Sequence, residues 1–147
     1  MGVIATQGAV TNPNKALYAL ASEAMTVPDS EWALGVVRSG TTAKADYGKI
    51  RLPDSDGELA YGAVYGQKDI ALNDEPACWY GEMLMMPVTE AVEIGEQVML
   101  AADTGKEGWV KLWTGVGTYK FGVVETPQAT VGGAALIRLQ IGEKLEV

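Results

Sequence analysis

Turn signals recur along this chain every 8–12 residues or so, and almost everything between them has the pattern of a short strand. The run from Pro87 to Leu139 is the clearest stretch. QVMLAAD, WVKLWTG, KFGVVET and AALIRLQ are separated by EIGEQ, TGKEG, GVGTY and PQATVGG. Upstream, WALGVVRSG is a further strand. YGKIRLP and ELAYGAVYG flank the turn PDSDGE and are expected to pair as a hairpin. ACWYGEMLMMPV is apolar on both faces, which suits a central strand or one at a subunit contact. The spacing predicts an all-β fold, a compact antiparallel β-barrel or sandwich over residues 31–147.

Residues 1–30 differ. Pro13 and Pro28 bracket a mixed segment that fits an extended N-terminal arm. At most a short helix fits over KALYALASEAM, capped by Asn14, with Leu17, Leu20, Ala21 and Ala24 on one side. A weak internal echo joins KIRLPDSDGELAYGAV to VKLWTGVGTYKFGVV: strand, glycine turn, then aromatic-Gly-small-Val. Two such hairpins would face each other across a barrel. Hairpins of this kind converge easily, so the echo alone is no argument for duplication.

Composition bounds the chemistry. The 147 residues suffice for one domain with its own core. The net charge of −8 repels a polyanion or an anionic membrane, and no basic block is present. No apolar run has the ~20 residues that span a bilayer. The chain has no histidine, which removes imidazole triads, imidazole bases and imidazole metal ligands. Cys78 is the single cysteine and reads as a small buried hydrophobe between Ala77 and Trp79.

The remaining chemical candidates are few. Glu82, inside an apolar strand, is the best candidate for one half of a carboxylate pair, but spacing names no second acid. Asp54, Asp56 and Glu58 offer oxygen ligands in a register too short for an EF-hand, so a solvated turn is favoured. GVGTYKFG leads into a strand and not a helix, which makes it a hairpin turn and no phosphate loop. Trp109 and Trp113, with Lys111 between them, share a strand face and form either a glycan platform or ordinary packing. The expectation is a protein without catalytic residues, cofactor or metal. It acts through contact surfaces, with Val3, Ile4, Trp79, Tyr80, Met83, Met85 and Met86 as candidate partner or oligomer contacts.

Residues 48–141 resemble the capsid decoration, or cement, proteins of tailed bacteriophages. The likeness lies in Ala91-Val92-Glu93-Ile94-Gly95-Glu96-Gln97-Val98-Met99-Leu100-Ala101-Ala102-Asp103, in Phe121-Gly122-Val123-Val124, and in Gly132-Gly133-Ala134-Ala135-Leu136-Ile137-Arg138-Leu139. RLPDSDGELAYGAVYG is similar to an earlier hairpin of that family. The resemblance implies a homotrimer at three-fold positions on the outer surface of a phage head. It would be made in the host cytoplasm, would bind the major capsid protein, and would do no catalysis. The arm would order on contact with capsid or with a neighbouring subunit. A carbohydrate-binding or adhesion module using Trp109 and Trp113 is the alternative.

Overall fold

The structure is a computed structural model that describes residues 16–40 and 48–147. The described chain is all-β, with thirteen strands and no helix. They are β1 (Ala16–Tyr18), β2 (Leu20–Ala21), β3 (Met25–Thr26), β4 (Ala33–Arg38), β5 (Lys49–Arg51), β6 (Ala60–Tyr65) and β7 (Asp69–Ile70). There follow β8 (Ala77–Trp79), β9 (Met83–Pro87), β10 (Gln97–Leu100), β11 (Val110–Leu112), β12 (Gly122–Val124) and β13 (Ala134–Leu139). One sheet has the order β1-β8-β6-β4-β5-β2, a second the order β11-β10-β12-β13-β9, and β3 pairs with β7 apart from both.

The two larger sheets are the same object built twice. Strands β1, β4, β5, β6 and β8 form a first module, and β9 to β13 form a second. In each, the first strand pairs with the last, the last with the fourth, the fourth with the second and the second with the third. Every one of these pairings is antiparallel. Each sheet then curls until the chain just after its first strand meets its third strand in parallel. Ala21 lies opposite Ile50 in one module, and Val88 lies opposite Val110 in the other.

The match extends to single atoms. The N–H of Ser22 donates to the Ile50 carbonyl at 2.8 Å, and that of Thr89 donates to the Val110 carbonyl at 3.0 Å. One residue on, the Glu23 carboxylate accepts from the Leu52 N–H at 2.7 Å, as Glu90 accepts from the Leu112 N–H at 3.0 Å. Ser22-Glu23-Ala24-Met25 thus corresponds to Thr89-Glu90-Ala91-Val92. Tyr61-Gly62 likewise corresponds to Phe121-Gly122. A Cβ on Gly62 would sit 2.6 Å from the Trp79 carbonyl oxygen, and one on Gly122 would sit 2.5 Å from that of Arg138. Glycine is required at both positions because the neighbouring strand's backbone fills the space of a side chain.

Each module has its own core. Ala19, Ala21, Met25, Leu34, Val36, Ile50, Val64 and Cys78 fill the first. Met86, Val88, Val92, Val98, Val110, Val124 and Ile137 fill the second. The modules meet where Ala33, Val37, Ala60 and Ala63, on the outer face of β4 and β6, join the second core. Here the Leu100 methyls occupy the space a side chain on Gly35 would need. The Gly35 N–H donates to the Gly108 carbonyl at 2.8 Å. β4 is therefore buried on both faces.

Three expectations change. First, residues 16–30 are no loose arm and contain no helix. Ala19 and Ala21, then Met25 and Val27, alternate inward with the period of a strand, while Leu17, Leu20 and Ala24 face solvent. Residues 1–15 lie outside the described residues. Second, β5 and β6 do not pair; they flank β4, as β11 and β12 flank β10. Their 52–59 connection leaves the sheet to dock on the second module, where the Gly57 N–H donates to the Leu100 carbonyl and Tyr119 donates back to Gly57, both at 2.8 Å. Third, ACWYGEMLMMPV is two strands, because a bend at residues 80–82 passes the chain from one module to the next.

Gly108 has φ +87° and would place a Cβ 2.6 Å from the Gly35 carbonyl oxygen, whereas Gly105, at φ +80°, faces open space. Gly108→Ala is expected to lose about 2–4 kcal/mol in urea unfolding, and Gly105→Ala about 1 kcal/mol.

Candidate functional site

Two grooves collect the exposed apolar groups near β1 and β9. The first, of about 280 Å³, is lined by Glu31, Tyr65, Trp79, Glu82, Met83, Leu84, Met85 and Leu136. It lies between the modules, with Tyr65 and Trp79 from β6 and β8 of one and Met83, Leu84, Met85 and Leu136 from β9 and β13 of the other. Within β9, Leu84 and Met86 turn inward, while Met83, 53% exposed, and Met85 turn toward the groove. The second groove, of about 370 Å³, is lined by Leu17, Arg38, Ala60, Tyr61, Tyr80 and Ile141. Leu17 and Tyr80 are 49% and 40% exposed, and neighbouring Tyr18 is 74% exposed. The Arg38 guanidinium lies over the Tyr61 ring, 5.0 Å from its centroid.

The expected contact residues therefore separate. Trp79, Met83 and Met85 come together at the seam. Tyr80 joins the other groove with Leu17, a residue for which helical spacing predicts only a place on a helix face. Met86 is fully buried and fills the second core, so it offers no contact surface. Val3 and Ile4 lie outside the described residues.

Glu82 lines the first groove, while the other chemical candidates are absorbed by the scaffold. Cys78 is buried in the first core, and burial pushes its thiol up to about 12. The carboxylates of the PDSDGE turn are held by the chain's own donors. Asp56 accepts from the Lys111 ammonium and from the Ala102 N–H, each at 2.8 Å, and Lys111 reaches Asp103 at 2.8 Å as well. Glu58 pairs with Arg51 at 3.0 Å and accepts from the N–H groups of Asp54 and Ser55. Among the described residues, no group of three or more Asp, Glu or Cys is placed to hold a metal ion. Trp109 packs against the first core with the Lys106 ammonium over its ring. The Trp113 N–H donates to the Thr118 carbonyl at 3.3 Å, beneath Lys120. Both indoles are half-buried, each beneath its own lysine.

Burial opposes ionisation of Asp56 and Glu58, but their donors outweigh it and hold both carboxyls below their usual 3.8 and 4.5. Groups of this kind stabilise the fold fully above those values, and the contribution is lost as pH falls through the lowered ones. Thermal melting is expected to keep its midpoint from neutrality to about pH 5 and to drop below about pH 4. Asp56→Asn should flatten that drop and lower the neutral-pH midpoint. Separately, Cys78 should resist iodoacetamide at pH 8 in the native protein and react within minutes once urea unfolds it.

No protein-family model matches this sequence, and no curated protein does. Among solved structures, the fold is similar to that of the head fiber gp8.5 N base of bacteriophage phi29. The TM-score is 0.58 at 15% identity, over 90% of this chain and 98% of that one.

Proposed function

We propose that this chain is a structural protein of a phage head. In this reading it is a decoration module that binds the outer surface of the capsid, contacts the major capsid protein and has no catalytic role. It assembles with copies of itself as a trimer at three-fold positions. The observation that carries the reading is architectural. Nearly the whole chain shares its fold with the base of a phage head fiber, and that likeness spans nearly all of the base as well. Two further features support it. Cys78 is spent in a core, and Glu58 and Asp56 in ion pairs. Four exposed apolar side chains, Leu17, Tyr65, Tyr80 and Met83, line two grooves suited to protein contact.

Decoration also suits the energetics. A modest contact repeated over a lattice gives firm attachment without a large interface at any one point.

The test uses heads of the phage that encodes the chain, prepared without it. Purified protein mixed with such heads should co-sediment and saturate at a fixed stoichiometry; protein left in the supernatant at every ratio refutes the reading. Removing residues 1–15 leaves β1 and every later strand in place. That truncation is expected to keep the native circular dichroism spectrum and to bind heads at least about tenfold more weakly, since Val3 and Ile4 are then missing.

A further inference from the structure

The duplicated fold allows each position in one module to be compared with its counterpart in the other. One end of the second module is built from Leu84, Leu100, Phe121 and Leu139. All four are buried, packed with Ala33, Val37, Ala60 and Ala63 of the first module. Strand register identifies their counterparts. Leu17 opposite Cys78 matches Leu84 opposite Ile137. Arg38 opposite Ile50 matches Leu100 opposite Val110. Tyr61 precedes Gly62 as Phe121 precedes Gly122, and Tyr80 follows Trp79 as Leu139 follows Arg138. These four residues, Leu17, Arg38, Tyr61 and Tyr80, are together in the second groove. The end of the second module that is plugged by the first module is thus, among the described residues of the first module, an open groove.

We infer that this groove is an unfilled copy of the joint between the modules, and that it takes the second module of another copy of this chain. The inference names the surface for the self-association proposed above and rests on that part of the reading. The receiving face is again given by register. The counterparts of Ala33, Gly35, Ala63 and Trp79 on the second module are Gly95, Gln97, Val123 and Arg138. None of these four is buried. The counterparts of Val37 and Ala60, Met99 and Lys120, lie beneath Gly57 and the C-terminal segment, so the exposed part of the face is the Gly95–Val123–Arg138 side.

The side chains differ in the sense such a joint requires. Within the chain, Leu100 nests on Gly35, a contact that never meets water. Between chains, the same two positions are Arg38 and Gln97. A surface exposed before assembly carries polar groups where a permanent seam carries apolar ones. Tyrosines replace the phenylalanine and a leucine, keeping apolar area beside a hydroxyl that tolerates solvent. The contact is head-to-tail: groove on one copy, outer face of β12 and β13 on the next. Repeated about an axis, such a contact closes a ring.

The experiment needs no heads, so its result is separable from that of head binding. Sedimentation equilibrium of the purified chain at micromolar concentration should give a closed oligomer, not the 15.6 kDa monomer. Tyr80→Glu on the groove and Val123→Glu on the receiving face should each weaken association about 30-fold or more, with unchanged circular dichroism. Mixing the two variants is the decisive arm. Each keeps the face the other has lost, so the mixture should form a one-to-one pair of twice the monomer mass, while each alone stays monomeric. A monomeric wild type overturns the inference. So does an oligomer that survives Tyr80→Glu, and so does a mixture that fails to pair.

Discussion

Five short strands cannot bury both faces of a flat sheet, and the fold depends on how this chain resolves that. Each module curls until the segment after its first strand meets its third strand in parallel, and a glutamate fastens the meeting point by accepting a backbone N–H beyond it. Without that contact, Ile50 and Val110 would lie beside an open sheet edge in place of a closed core. The glycines at 62 and 122 serve the same end, since they let adjacent strands approach closely enough for the curl to complete. Small residues at Ala19 and Ala21 in the first module, against Met86 and Val88 in the second, show that closure fixes the path of the backbone more tightly than it fixes side-chain volume.

Once the modules are closed, the interface between them follows. β4 needs cover on both faces because its inward residues serve one core and its outward residues serve the other. The 52–59 connection, stiffened by the Arg51–Glu58 and Asp56–Lys111 pairs, acts as a strut between modules. Its acidic residues look like surface turn chemistry in the sequence. Asp56 is in fact among the contacts that hold the two halves in one arrangement: against the cost of burial, Lys111 and the Ala102 N–H keep its carboxyl below its ordinary range, whereas Glu58 is lowered by Arg51 and the N–H groups of Asp54 and Ser55 within the connection itself.

Much of this was legible in the residues. Glycine turns at regular spacing indicate the fold class. The echo between KIRL…YGAV and VKLW…FGVV falls on the third and fourth strands of both modules, but neither of the two hairpins it suggests forms: β5 and β6 lie on opposite sides of β4, as β11 and β12 do of β10. The first strands escaped because ALYALA and MLMMPV share no pattern, and because helical and extended readings of residues 16–25 differ only in which alanines face inward. The short Ser/Thr-Glu-Ala signature after them is too brief to weigh without knowing that both glutamates accept equivalent N–H groups. Strand partnership was the least readable quantity: adjacency in sequence suggested β5 with β6, whereas a docked turn takes them to opposite sides of β4. The groove formed by Leu17, Arg38, Tyr61 and Tyr80 joins residues far apart along the chain, and nothing local announces it.

The pairing of β1 with β8 has a consequence for biosynthesis. A ribosome releases Ala16 long before Trp79, so the first strand of each module waits for the last, and closure comes late in the emergence of each half. The first half completes as Trp79 clears the exit tunnel, and its outer β4–β6 face then stands ready as a template on which the later half docks. Order of translation thereby works against swapping of halves between nascent neighbours, even though the two share one strand plan.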